Sequence, residues 1–151
     1  MSTPVVFILN GPNTNIYGLD PGGIYGPVTL EEIGERCRAR AEQEGVALEF
    51  RQTNHEGVLI DWIHEARQTA DGLIINGGSS TYASIGVLDA LSAFGKPIIE
   101  VHMSNIYKRE PFRQHSFISR AATGMIVGLG YRGYVLAVTA LAAILLEKRT
   151  A

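Results

Sequence analysis

Apolar residues in this chain fall into short β-branched runs, and three of those runs end in a cluster of small polar residues. Val5–Leu9 leads into Asn10-Gly11-Pro12-Asn13. Leu73–Ile75 leads into Asn76-Gly77-Gly78-Ser79. Ile98–Val101, with Glu100 inside it, leads into His102-Met103-Ser104-Asn105. Near-continuous apolar runs of this length mark strands covered on both faces, as in a parallel sheet. Ala47–Gln52 and Gly124–Val127 are two further segments of strand length. Between the strands the apolar spacing changes to a helical period. One predicted helix follows Thr29, an N-cap with Glu31 and Glu32 behind it, and stops at about Glu44 before Gly45. Others cover roughly Glu56–Gln68, about Ser80 to Phe94, and Gly133–Lys148, the last apolar on most faces. Alternation of this kind predicts a doubly wound α/β fold, and five strands suit the order 2-1-3-4-5. Repeats, low-complexity tracts and linkers are absent, so residues 1–151 are expected to form one domain.

In open α/β sheets the ligand lies outside the carboxyl ends of the strands. The polar clusters are therefore expected to converge, bringing Asn13, Asn76, His102 and Ser104 together. Glu100 and His102 are two apart on a strand and face the same way. Such a carboxylate orients the imidazole and raises its basicity, which suits a general acid working near neutral pH; a structural His–Glu pair is the alternative. Arg109 and Arg113 lie in the polar stretch 103–119, spaced to clamp an anionic or polyhydroxylated ligand, or else they form a solvated basic face. Residues 14–28 make an unusually long, glycine-rich βα connection whose phenols are Tyr17 and Tyr25. A loop of that length leaving a polar cluster reads as a lid; a surface excursion is the other reading.

Composition removes several classes of function. The 151 residues suffice for a sizeable core, and 46% hydrophobic with 19% charged residues is a globular balance. A net charge of −2 argues against nucleic-acid or polybasic membrane partners. The single cysteine, Cys37, excludes an intrachain disulfide and a cysteine-cluster metal site. Val135–Leu146, interrupted by Thr139, is too short to span a bilayer, and the N-terminus lacks the features of a secretory signal. A cytoplasmic location is expected.

Taken together, the residues resemble the type II 3-dehydroquinate dehydratases. The resemblance runs nearly end to end. It is carried by Leu9-Asn10-Gly11-Pro12-Asn13, Ile24-Tyr25-Gly26 and Asp61-Trp62-Ile63-His64, and then by Ile75-Asn76, Glu100-Val101-His102 and Ser104-Asn105. Arg109-Glu110, Phe112-Arg113, His115-Ser116, Ala122-Thr123-Gly124 and Gly128-Leu129-Gly130 complete it. It implies a flavodoxin-like fold, a homododecamer built as a tetramer of trimers, a small anionic substrate, and neither metal nor organic cofactor. It also implies roles. Tyr25 would be the base, Asn13 would hold a water against an enolate oxygen, and His102, backed by Glu100, would be the acid. Asn76, Gly78, Met103 and Ser104 would hold the substrate carboxylate and a neighbouring hydroxyl, Arg113 would bind a ring hydroxyl, and Asp89 would support a neighbouring subunit's site. A flavin carrier shares the fold class, but no Ser/Thr-rich phosphate loop follows the first strand.

Two departures qualify the resemblance. The family's lid reads leucine-glycine-any-arginine-glutamate-proline where this chain has Tyr17-Gly18-Leu19-Asp20-Pro21. An Asp20 seated in the arginine's place would oppose ionisation of Tyr25, with Arg109 compensating in part; alternatively Asp20 points to solvent. The family's pocket histidine is Tyr82 here, which would alter how ring hydroxyls are read. Three functions follow from these residues: a dehydratase of 3-dehydroquinate, a lyase or hydratase acting on a related hydroxy-keto carboxylate, and a non-catalytic homologue.

Overall fold

The computed structural model describes residues 2–150. Five strands, β1 (Val5–Asn10), β2 (Ala47–Gln52), β3 (Gly72–Asn76), β4 (Ile98–His102) and β5 (Gly124–Val127), form one all-parallel sheet in the order β2-β1-β3-β4-β5. Helices α1 (Leu30–Glu44) and α5 (Tyr131–Thr150) cover one face, and α2 (Glu56–Thr69) and α4 (Ile85–Phe94) the other. The doubly wound sheet and strand order predicted from the run pattern are thus observed, and they form the flavodoxin-like arrangement that the resemblance implies.

The period-two geometry of a strand explains why the central runs are apolar throughout. Val6, Ile8, Ile74, Ile99 and Val101 pack under α1 and α5. Phe7, Leu9, Leu73, Ile75 and Ile98, one residue out of phase, pack under α2 and α4. Most of these side chains are fully buried, and burying each contributes about 1.5–3 kcal/mol. α1 starts where expected, with the Thr29 hydroxyl accepting from the Glu32 N–H at 3.2 Å, and ends at Gly45 in the left-handed region (φ 75°). Cys37 lies in this core, and burial pushes its thiol up to about 12, which removes it from nucleophilic chemistry.

Several predicted boundaries shift. The helix expected from Ser80 to Phe94 is two helices, α3 (Ser80–Ala83) and α4, broken at Ser84. Ser84 is extended (φ −112°, ψ 104°), and its hydroxyl accepts from the Val87 N–H at 2.9 Å, so a cap lies hidden inside an apolar periodic stretch. The strand ends also move. Asn10, Asn76 and His102 are the last residues of β1, β3 and β4, paired in the ladder rather than lying beyond it. α5 begins at Tyr131, two residues before the predicted start. The 14–28 connection is anchored at its base. Thr14–Ile16 form a 3-10 turn, and Tyr17 is buried in the core on the α1/α5 face, while Leu19–Gly22 are exposed. No helix among the described residues is long and apolar enough to cross a membrane.

Candidate active site

Beyond the carboxyl ends of β1, β3 and β4 the chain encloses a cavity of about 170 Å³. Backbone contact between two loops makes its floor. The Gly11 N–H donates to the Asn76 carbonyl at 2.8 Å, and a Cβ on Gly11 would lie 2.3 Å from the Gly77 oxygen. Gly78 adopts φ 56°, and a Cβ there would lie 2.5 Å from the Pro12 oxygen. Glycine is therefore required at both positions if the β1 and β3 loops are to touch. Asn13 adopts the left-handed conformation too (φ 69°), which asparagine tolerates, and its N–H donates to the Asn54 side chain at 2.9 Å.

Of the residues singled out from the sequence, Asn13, Tyr25, Asn76, Gly78, Tyr82, His102, Met103, Ser104, Arg109 and Arg113 all line this cavity. Glu100 stands directly behind it. Asp89 does not belong to it: it is exposed on α4, outside the cavity of its own chain. Asp20 likewise lies outside. It is exposed, and its carboxylate sits against Gly23, so it does not occupy a seat beside Tyr25.

The His102–Glu100 pair is the most completely built part of the site. His102 Nε2 is hydrogen-bonded to Glu100 Oε2, which leaves Nδ1 for a ligand. Glu100 is fully buried, and both its oxygens are engaged. Ser116 Oγ lies 2.9 Å from Oε2, and Ser119 Oγ lies 2.5 Å from Oε1. The Ser116 hydroxyl already accepts from the Ser119 N–H at 3.1 Å, so its proton goes to Glu100. Burial pushes the Glu100 carboxyl up, but the hydrogen bonds from His102, Ser119 and Ser116 together outweigh it and hold the group below its usual value. The ionised form therefore stabilises the fold at neutral pH, and that contribution is lost as pH falls through the depressed folded-state value. Removing both hydroxyls, in S116A/S119A, raises that value. The loss in melting temperature is expected to be largest near pH 7 and to shrink as pH falls through the wild type's depressed value, below which the carboxyl is protonated in either protein. Thermal melts from pH 3 to 8 check it; a pH-independent loss would refute the ionised assignment.

Opposite this pair stand the arginines and phenols. Arg109 Nη1 donates to the Tyr25 hydroxyl at 3.0 Å and to Ser104 Oγ at 3.1 Å, so the end of β4 fixes the guanidinium against the phenol. The contact sets a fixed positive charge beside the phenolic oxygen. The Tyr82 ring stacks near His102 (centroids 6.2 Å apart) and lies 5.7 Å from the Arg113 guanidinium. Burial raises the Tyr82 phenol, against the opposing pull of Arg113 and Arg109. Arg113 is steadied by Glu110, which accepts from its Nε at 3.2 Å.

Sequence reasoning missed four contributors: Asn10, Tyr134, Ser116 and Ser119. Asn76 Nδ2 donates to Tyr17 at 2.9 Å and to Tyr134 at 2.7 Å, and the Tyr134 hydroxyl donates to Asn10 Oδ1 at 2.7 Å. Asn10 and Tyr134 lie 124 positions apart, so no local pattern connects them. The i, i+3 spacing of Ser116 and Ser119 was visible, but their carboxylate partner lies on another element.

The family model "Dehydroquinase class II" matches residues 4–142. The chain belongs to the class II dehydroquinase family. The protein named 3-dehydroquinate dehydratase 2 of Pseudomonas putida is 48% identical over 145 residues, 96% of this chain and 97% of that protein. The one of the same name in Agrobacterium fabrum is 54% identical over 127 residues, 84% and 86% of the two chains. Among solved structures, the type II dehydroquinase from Butyrivibrio crossotus superposes with a TM-score of 0.90 at 36% identity, covering 93% of this chain and 99% of its own. A 3-dehydroquinate dehydratase-like protein from Bifidobacterium longum gives 0.72 at 28% identity, covering 96% and 99%. For a class II dehydroquinase the cavity at the β1/β3 switch point is where this fold class binds its ligand.

Proposed function

We propose that this chain eliminates water from 3-dehydroquinate to give 3-dehydroshikimate. The observation that carries the reading is the facing arrangement in one cavity of Tyr25, tied to Arg109, and His102, tied to buried Glu100. Tyr25, as phenolate, takes the proton from C2. The electron pair moves toward the C3 carbonyl to form an enolate, beside which Asn13 would hold a stabilising water. The enolate then collapses to form the C1–C2 double bond. The C1–O bond breaks, and His102 delivers a proton to the departing hydroxyl so that it leaves as water. Glu100, itself anionic, holds the imidazole in place through its Nε2. Arg113 reads a ring hydroxyl, and the backbone at Met103 and Ser104 receives the carboxylate. The names of the relatives support the substrate. Mixing the purified protein with 3-dehydroquinate should produce the ultraviolet absorbance of a conjugated enone; no absorbance change at high enzyme concentration would refute the reading.

Tyr82 favours a second reading, a related hydroxy-keto carboxylate as substrate, because a half-buried phenol lies against His102. Under that reading 3-dehydroquinate is turned over with a low kcat/KM, and a congener altered at the ring hydroxyl facing Tyr82 is turned over faster.

For assembly we propose the homododecamer, with Asp89 acting at a neighbour's cavity. Exposed Ile85, Tyr107 and Phe112 lie together beside Tyr82 and offer an apolar contact next to the site. Sizing by light scattering should give the mass of twelve copies; a monomer of 16.4 kDa would refute it.

A further inference from the structure

Tyr17 lines the cavity, yet it belongs to none of the chemistry described so far. Its hydrogen bonding sets it apart. The Asn76 amide has two N–H donors, and both are spent inside the protein, one on Tyr17 and one on Tyr134. Its oxygen is spent as well, accepting from the Gly78 N–H at 3.2 Å. Tyr134 passes its own proton to Asn10, and Asn10 Nδ2 donates to the Arg51 carbonyl at 2.9 Å. The chain of hydrogen bonds therefore runs in one direction, and one proton is left over. The Tyr17 hydroxyl accepts from Asn76, and among the described residues its own O–H meets no acceptor. The side chain is only 7% exposed and Tyr17 lines the cavity together with its partner Asn76, so a molecule in the cavity is the acceptor that the arrangement offers.

We infer that Tyr17 is a substrate-binding residue that sets specificity, its hydroxyl donating to the carboxylate of the bound ring in place of the Asn76 amide. The inference rests on reading this cavity as the dehydration site. Asn76 then acts as a positioning residue, because it orients the phenol. The two neighbouring phenols of the cavity divide their work by surroundings, their ring centroids 4.7 Å apart and their planes tilted by 40°. The Tyr25 hydroxyl is held by a guanidinium, which suits a base. Tyr17 is surrounded by apolar core and an amide, and burial raises its phenol far above the ordinary range, so it stays a protonated donor at every working pH.

The test compares the wild-type protein with Tyr17→Phe, which keeps the ring and removes only the hydroxyl. One arm measures KM and kcat on 3-dehydroquinate. A second measures calorimetric affinity for quinate, a ring carboxylate with no ketone to support elimination. A third records melting temperature. Loss of one hydrogen bond to a charged group predicts a rise of about 10- to 100-fold in KM and in the quinate Kd, with kcat falling less. A loss confined to kcat or to melting temperature, with KM and Kd unchanged, overturns the assignment, because a purely structural phenol would do only that. Should wild-type protein fail to dehydrate 3-dehydroquinate, the proposed function falls and the quinate arm alone decides Tyr17. Equal affinity in the two proteins there, including none in either, overturns it.

Discussion

Replacing His102 with alanine is expected to lower kcat on 3-dehydroquinate by about 10²- to 10⁴-fold, the range that one positioned general acid contributes. The size follows from the leaving group, since hydroxide is expelled slowly unless it is protonated as the C1–O bond breaks. Among the described residues that line the cavity, His102 is the one histidine. The variant also tests the order of events. If Tyr25 takes the C2 proton before the C1–O bond breaks, His102→Ala still exchanges that proton with deuterated solvent while dehydration stalls. Removal of the imidazole also takes one of three hydrogen bonds from buried Glu100. Burial then weighs more heavily, and the carboxyl binds a proton at a higher pH than in the wild type. A melting curve at pH 7 separates this stability loss from the chemical one. Unchanged turnover would remove His102 from the mechanism.

Tyr25→Phe is expected to abolish dehydration by a similar factor, and for a complementary reason. Arg109 keeps its place against Ser104, but the oxygen that its guanidinium served is gone. Tyr17, though its ring packs against Tyr25, cannot substitute, because burial raises its phenol and no cation donates to its oxygen. Solvent exchange at C2 should therefore vanish in Tyr25→Phe where it survives in His102→Ala. Exchange that persists without Tyr25 would identify another base.

The apolar runs made most of the fold legible. A buried parallel strand needs both faces apolar, so Val6–Leu9 and Leu73–Ile75 announce themselves without any partner being known. Ending those runs in asparagine and histidine announced the site edge as well. What escaped the reading was any feature that needs two distant segments. Ser84 looked like helix interior because the residues either side of it keep a helical period; only its capping bond to the Val87 N–H reveals the break. Residue type alone leaves Asp20 free to oppose Tyr25; the fold exposes its carboxylate against Gly23 instead.

The sequence by itself determined the strand succession and its alternation with helices, though not the break at Ser84, together with the family and the identities of the base and acid candidates. These depend on residue type and on spacing along one element, as with Glu100 and His102 on a single strand. Tertiary structure decided which groups serve those candidates. Ser116 and Ser119 reach Glu100 from another loop, Arg109 reaches Tyr25 across 84 positions, and Tyr134 binds Asn10 and Asn76 from the last helix. Hydrogen bonds are short-ranged and directional, so their partners are set by the packing of elements against one another, which no local pattern encodes.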